Sequence, residues 1–308
     1  MNQGVFLESI IRALSFFDLF DLPLTREEIF RYAWSPPSAG KLELENILDN
    51  LPPEKIGNKF GYYFLSGRET IVEERRRRVA ISDQKIKRAR AAVKWLRQVP
   101  FIKAVFVCNS VAFGSPREKS DIDLFIITVP GRIWVARFFA NLILKLTLQR
   151  IGKLHSANKI CLSFFLDSKH LDLSPLAIAP DDVYLAYWAL TLIPLFDPEA
   201  FYAQILKTNR WLDKFLPNAK GAILPPALGK PGLWQRLAEP MWRGSYGNII
   251  ENDTKKIQLM KLSYALKDAA KKPDKNVIIA DGILKFHEHD LRRVLRDKWL
   301  AKCGDLLI

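Results

Sequence analysis

Two aspartates spaced by one residue, Asp121 and Asp123, are the side chains in this chain best arranged for chemistry. They open the run Asp121-Ile122-Asp123-Leu124-Phe125-Ile126-Ile127-Thr128, whose apolar content predicts a strand. On a strand, residues i and i+2 face the same side. Both carboxylates therefore project together, while Ile122 and Leu124 point toward a core. Parallel carboxylates repel one another unless a cation lies between them. Mg²⁺ takes hard oxygen ligands, usually one or two carboxylates plus substrate phosphate. Such a centre neutralises charge on a transferring phosphate and activates the attacking oxygen.

A lone D-x-D pair also arises on ordinary surface strands, so the preceding segment matters. Asn109-Ser110-Val111-Ala112-Phe113-Gly114 follows a second strand, Ala104 to Cys108. Backbone amides of such a turn and the Ser110 hydroxyl are natural donors to phosphate oxygens. Past the turn Pro130-Gly131, an apolar helix from Ile133 to about Ile151 carries Arg137, a candidate triphosphate contact whose simpler alternative is a helix-surface role. A third strand is expected at Ile160 to Leu166.

These residues resemble the DNA polymerase β-type nucleotidyltransferase superfamily. Its pattern is a Gly-Ser pair where a strand meets a helix, followed after roughly ten residues by Ser-Asp-x-Asp-Leu on the next strand. Here Asn109-Ser110 to Gly114 and then Ser120-Asp121-Ile122-Asp123-Leu124 stand in those places. The resemblance implies Mg²⁺ on Asp121 and Asp123, and nucleotide binding by Asn109, Ser110, Gly114 and Ser120. Two departures are visible. Asn109 replaces the usual glycine, and asparagine tolerates left-handed backbone angles better than most residues. The third carboxylate expected on the strand after the helix is missing. Ser163 sits near its place, and Asp167, at the strand's end, is the nearest acidic substitute.

The wider chain supplies the frame. Apolar residues at helical spacing fill residues 5–20, and Thr25 followed by Glu28 forms a capping box that should start a second helix at Arg26. A third helix is expected over about Leu42 to Asn50, then a hairpin between Lys55 and Leu65. Three helices and a hairpin outline a winged helix, although the acidic third helix (Glu43, Glu45, Asp49) opposes phosphate binding. A strongly basic helix follows within 71–98, either a solvated face or a funnel for a phosphate-bearing substrate. After Pro180 the chain reads as helical: a helix capped by Asp181 or Asp182 through Leu195, one from Pro198 to Phe215, basic helices over 233–270, and a basic helix from Leu291 to Lys302. Trp211, Trp234 and Trp242 read as core, and His287-Glu288-His289 as a solvated helix end.

The expected class is α+β: a winged-helix-like module (1–70), a basic linking helix (71–99), a nucleotidyltransferase-type domain with a mixed sheet and flanking helices (100–180) and a helical C-terminal region (181–308). A similar order, front module, catalytic domain and helical tail, occurs in prokaryotic nucleotidyltransferase-like proteins that resemble this chain at Phe17–Thr25 and Leu284–Glu288.

The formal net charge of +14 and pI near 9.6 favour a polyanionic substrate or partner, nucleic acid included. Cys108, Cys161 and Cys303 show no disulfide or zinc spacing and fit a reducing cytoplasm. The N-terminus lacks signal-peptide features, and the apolar stretches at 138–148 and 183–196 fall short of the ~20 residues of a spanning helix, so no membrane partner is expected.

The expected function is Mg²⁺-dependent transfer of a nucleoside monophosphate from a nucleoside triphosphate to a hydroxyl acceptor, releasing pyrophosphate. The acceptor (protein, nucleic acid or small molecule) is not specified. The catalytic candidates are Asp121, Asp123 and Asp167. The alternative is a regulatory protein on the same scaffold that binds nucleotide, DNA or a protein partner without efficient turnover.

Overall fold

A computed structural model describes residues 3–36, 46–149, 158–178, 180–219, 226–272, 275–287 and 290–307. The chain is α+β. Helix α1 (Gln3–Asp18) leads to β1 (Leu24–Thr25) and α2 (Arg26–Tyr32). The Thr25 hydroxyl accepts the Glu28 N–H, and Glu28 accepts the Thr25 N–H at 2.9 Å, so the capping box forms as the spacing requires. Strands β2 (Ile56–Lys59) and β3 (Tyr62–Leu65) make the expected hairpin. Its two turn residues, Phe60 and Gly61, both have positive φ (53° and 76°), the twist that suits a two-residue hairpin. With β1 they form a three-stranded sheet. The expected third helix falls largely outside the described residues; 46–48 are helical.

Helix α3 (Ile71–Leu96) is the basic helix. Part of its charge is structural. Arg75 donates to the Pro23 carbonyl (2.7 Å) and Glu28 (2.6 Å), and buried Arg78 donates to the Phe20 carbonyl (2.7 Å) and Glu74 (2.6 Å). These arginines tie the N-terminal elements to the rest of the chain.

There follow β4 (Ile102–Val107), the single turn α4 (Asn109–Ala112), β5 (Ile122–Thr128), α5 (Ile133–Leu146), β6 (Ile160–Asp167), α6 (Val183–Thr191), β7 (Ile193–Phe196), α7 (Phe201–Thr208) and α8 (Leu212–Phe215). Beyond them come α9 (Leu233–Met241), α10 (Gly244–Lys261), α11 (Tyr264–Ala269), β8 (Val277–Ala280), β9 (Ile283–Phe286) and α12 (Arg292–Leu307). Among the described residues six strands form a mixed sheet in the order β7-β4-β5-β6-β9-β8, with β5 and β6 parallel and the other neighbours antiparallel.

The region after 180 is thus not simply helical. It supplies β7, β8 and β9 to the same sheet. Asp182 caps α6 through the Leu185 N–H (2.9 Å), but the helix stops at Thr191, and Leu195 lies in β7. The expected helix from 198 to 215 is divided into α7 and α8. At the break, fully buried Asn209 bonds the backbone of Leu171, Leu173 and Ile205.

Side chains alternate across the sheet as the pleat demands. Phe106, Phe125 and Ile127 enter one core, which also holds Phe16 and Phe17 of α1, Tyr187 and Trp188 of α6, and Trp299 of α12. Val105, Leu124 and Ile126 enter the other, against Trp134 and Ala140 of α5 and Ala89 and Val93 of α3. The N-terminal elements therefore share the first core with the sheet. Among the described residues no helix is long and apolar enough to cross a membrane.

Candidate functional site

Asp123 lies on the face of β5 that carries Phe125 and Ile127, and Asp121 immediately precedes the strand with its carboxylate beside that of Asp123. One oxygen of each lies within 4.8 Å of the other and of Cys161 Sγ. Cys161 is the register partner of Asp123 on parallel β6. Immediately beyond it the register shifts: Phe125 pairs with Phe164, so β6 carries one extra residue there. Bulges of this kind re-aim side chains and occur beside functional sites.

The Asp123 carboxyl is pushed up to about 6, chiefly by burial and then by the charge of Asp121. Hydrogen bonds from Asn109 and Cys161 work in the opposite direction. Burial and the neighbouring carboxylate leave Asp123 short of positive charge, which a divalent cation would supply. The donors fit Mg²⁺ through two hard carboxylate oxygens, with substrate oxygens and water left to complete the shell. Cys161 fits that ion poorly, being soft and donating its S–H to Asp123 in a hydrogen bond.

The turn from β4 into α4 lies against this pair. Asn109 takes φ = +56°, the left-handed conformation foreseen for it, and needs no glycine. Its side chain also contributes: Oδ1 accepts the Tyr184 hydroxyl at 3.2 Å while the amide bonds Asp123. Ser110 lines the same cleft as Asp123. Gly114, at φ = +76°, ends the turn with open space where a Cβ would stand.

The other candidates separate from this group. The Ser120 hydroxyl donates to the Arg117 carbonyl (2.8 Å) and closes the loop before Asp121. Arg137 rises from α5 on the opposite face of the sheet, where it donates to Gln258 (2.6 Å) and stands over the Phe286 ring at 4.4 Å. The structure does not bring it to the carboxylate pair. Asp167 is likewise apart. It pairs with Thr128 at the far end of β6, five residues along β5 from Asp123, or roughly 17 Å at strand rise. There it accepts His170 Nδ1 (2.7 Å) and the Lys169 N–H (2.9 Å), a turn-forming role at the strand's end.

Cys161 occupies the position beside the pair that the sequence reading sought in Ser163 or Asp167. A parallel β5–β6 pairing with both strands starting level would have pointed to it. Further residues at or behind the site are distinguished only by their packing. Lys85 of α3 is fully buried, and its ammonium donates to the carbonyls of Glu118 (3.2 Å) and Ser120 (2.7 Å) and to Asn158 Oδ1 (2.9 Å). It fixes the loop that delivers Asp121. Lys85→Met should cost about 2–3 kcal/mol, the loss of the charged hydrogen bonds made by a buried side chain, measured by urea unfolding. A loss below about 0.5 kcal/mol, the usual size of a neutral surface change, would remove this anchoring role. His287 is no solvated end. It is half-buried, its pKa is pushed down to about 4 chiefly by desolvation, and its Nε2 lies 3.2 Å from Ser163 Oγ. Glu288 and His289 lie outside the described residues. Lys285 is held by Asp290 (2.5 Å) and the Lys275 carbonyl (2.8 Å), and Arg292 by Asp290 and Asp182.

Asp123, Asn109, Ser110, Lys285 and His287 open onto one cleft of about 330 Å³, otherwise walled mainly by aromatic and leucine side chains such as Phe113, Tyr184 and Trp188. A larger cleft of about 860 Å³ lies by the other end of the sheet, around Asp167, His170, Arg132 and Lys255. Comparison of the chain with protein-family models, curated proteins and solved structures gives no match.

Proposed function

We propose that this protein is a metal-dependent nucleotidyltransferase of the DNA polymerase β type. On this reading it transfers a nucleoside monophosphate from a nucleoside triphosphate to a hydroxyl acceptor and releases pyrophosphate. The observation that carries it is the pair Asp121 and Asp123 at the start of β5, with ligating atoms close together, at the turn from Asn109 to Gly114 and beside an open cleft.

Asp121 and Asp123 would hold Mg²⁺, whose charge stabilises the phosphate in transfer. Asn109 holds Asp123 in position through its amide, and Tyr184 in turn holds Asn109. Ser110 and the amides of the turn bind phosphate oxygens. Lys85 holds the loop that ends in Asp121. The aromatic walls of the cleft exclude water from the reacting groups. The N-terminal three-stranded sheet and its helices are read as a winged-helix-like module with a packing or partner role. The reduced thiols of Cys108, Cys161 and Cys303 fit work in a reducing cytoplasm.

One observation favours a second reading. Cys161, not an acid, completes the group, and no third carboxylate lies with the pair among the described residues. A nucleotide-binding regulator would need no base to activate an acceptor. The test is incubation with each of four labelled nucleoside triphosphates, with Mg²⁺ present or chelated. Transfer of label with release of pyrophosphate, lost on chelation, supports the enzyme. Calorimetric binding without pyrophosphate release supports the regulator. Neither binding nor transfer with any of the four sinks both.

A further inference from the structure

Helices α9 and α10 are amphipathic the wrong way round. The polar side chains of α9 face inward: Gln235 donates to the Ile102 carbonyl (2.6 Å) and Glu239 accepts the Phe101 N–H (2.7 Å). Its apolar side chains, Leu233, Trp234, Leu237 and Met241, face outward, with Trp234 and Met241 each 71% exposed. Trp234, expected in the core, is therefore on the surface. Their spacing places all four in one stripe. Helix α10 repeats the inversion. Glu251 accepts the N–H groups of Trp134 and Val135 (2.9 Å each), and Gln258 donates to the Trp134 carbonyl (2.8 Å). Tyr246, Ile249, Ile257 and Met260 are exposed. Tyr264, opening α11, is 85% exposed.

The inward hydrogen bonds lock these orientations. Rotating either helix to hide its apolar stripe would strip buried backbone groups of their partners. The apolar stripes are thus a fixed surface feature of a kind that marks an interaction site.

Charge selects the occupant. Lys230, Arg236, Arg243, Lys256, Lys261 and Lys267 are exposed on or beside these helices. The exposed acids there, Asp253 and Asp268, lie within 4 Å of Lys256 and Lys272. A second copy of a chain carrying +14 would set like charge against like. A polynucleotide would match the charge but leave leucine, isoleucine and methionine in water. An anionic bilayer surface meets both demands: apolar side chains enter the acyl boundary while lysines and arginines stay among headgroups. We infer that α9, α10 and α11 dock this protein on an anionic lipid surface, lying in the interface without spanning it.

The full chain is sedimented with vesicles of phosphatidylcholine alone or mixed with phosphatidylglycerol. It should partition onto the mixed vesicles, with a blue shift of tryptophan emission, and much less onto phosphatidylcholine. The triple variant Trp234→Ser, Leu237→Ser, Met241→Ser changes only exposed side chains. It should keep its circular dichroism and lose roughly tenfold or more of the partitioning. Arg236→Glu with Arg243→Glu should weaken binding and flatten its salt dependence. Absence of binding to the mixed vesicles overturns the inference, as does binding that the serine variant leaves intact. Light scattering that shows a dimer abolished by the serine substitutions, without vesicle binding, assigns the face to a second copy and overturns it equally.

Discussion

Asp123→Asn should lower metal-dependent nucleotidyl transfer by about a thousandfold while making the protein more stable. Both effects have one origin. A cation between Asp121 and Asp123 supplies several kcal/mol of transition-state charge stabilisation, and each ~1.4 kcal/mol is tenfold in rate. An amide of the same shape cannot take the carboxylate's place. The stability effect follows from linkage. Asp123 is raised to about 6 from an ordinary 3.8. The folded state therefore binds this proton more tightly than the unfolded chain does. Stability is full below about pH 4 and falls as pH rises to about 6, and above that window the ionised carboxylate costs roughly 2–3 kcal/mol. The substituted amide never ionises and should recover part of this, about 1–2 kcal/mol at neutral pH without metal. The measurements are label transfer and thermal unfolding with chelator, each across pH 4–8. Unchanged transfer would remove Asp123 from the site. Equal stability of the two proteins at every pH would remove the electrostatic account. Metal binding should also weaken as pH falls through about 6, because protons compete for Asp123.

Cys161→Asp should raise Mg²⁺ affinity by roughly tenfold or more, since ligand charge count sets the affinity of oxygen sites. Cys161 stands level with Asp123 on the neighbouring strand and within ligand reach of both acids. Replacing its thiol adds a hard oxygen and a negative charge. Without metal the same change should destabilise the fold, because a third acid enters beside Asp123, whose ionised form burial and Asp121 already disfavour. Calorimetric Mg²⁺ titration and chelated thermal unfolding read the two effects. If the wild-type protein binds nucleotide without turnover and Cys161→Asp begins to release pyrophosphate, the missing acid is what held the site idle. If Mg²⁺ affinity stays the same, Cys161 does not face the ion.

The sequence disclosed those features that depend on local order. The Thr25–Glu28 capping box, the hairpin at Phe60-Gly61, the facing aspartates and the left-handed Asn109 each follow from a few adjacent residues. What stayed hidden depends on register or rotation. Strand β7 was read as helix because Val183 to Phe196 is apolar throughout and carries no period. Pro194 sits there without breaking the sheet because β7 is an edge strand. Arg137 and Asp167 are near the aspartates in sequence pattern, but α5 packs on the opposite face and β6 runs away from the pair. Cys161 emerges only when the two strands are set side by side. Lys85 was one cation among many in a basic run, and only its docking distinguishes it. Apolar periodicity places Trp234 in the core, because it gives the stripe of a helix but not the direction in which the stripe points.

The aromatic cluster under the sheet binds the first sixty-odd residues to the rest more firmly than a tether would. Phe16 stacks on Tyr187 at 4.4 Å, Phe20 on Phe113 at 5.6 Å, and the Tyr187 hydroxyl reaches the Tyr32 carbonyl at 2.8 Å. Severing the chain before α3 would leave Phe113, Tyr184 and Tyr187 wet and would remove Phe20 from the wall of the cleft. Evolution cannot exchange this N-terminal piece for another without rebuilding the floor beneath Asp123. Fragments that begin at residue 71 are a poor substitute for the whole chain in any assay.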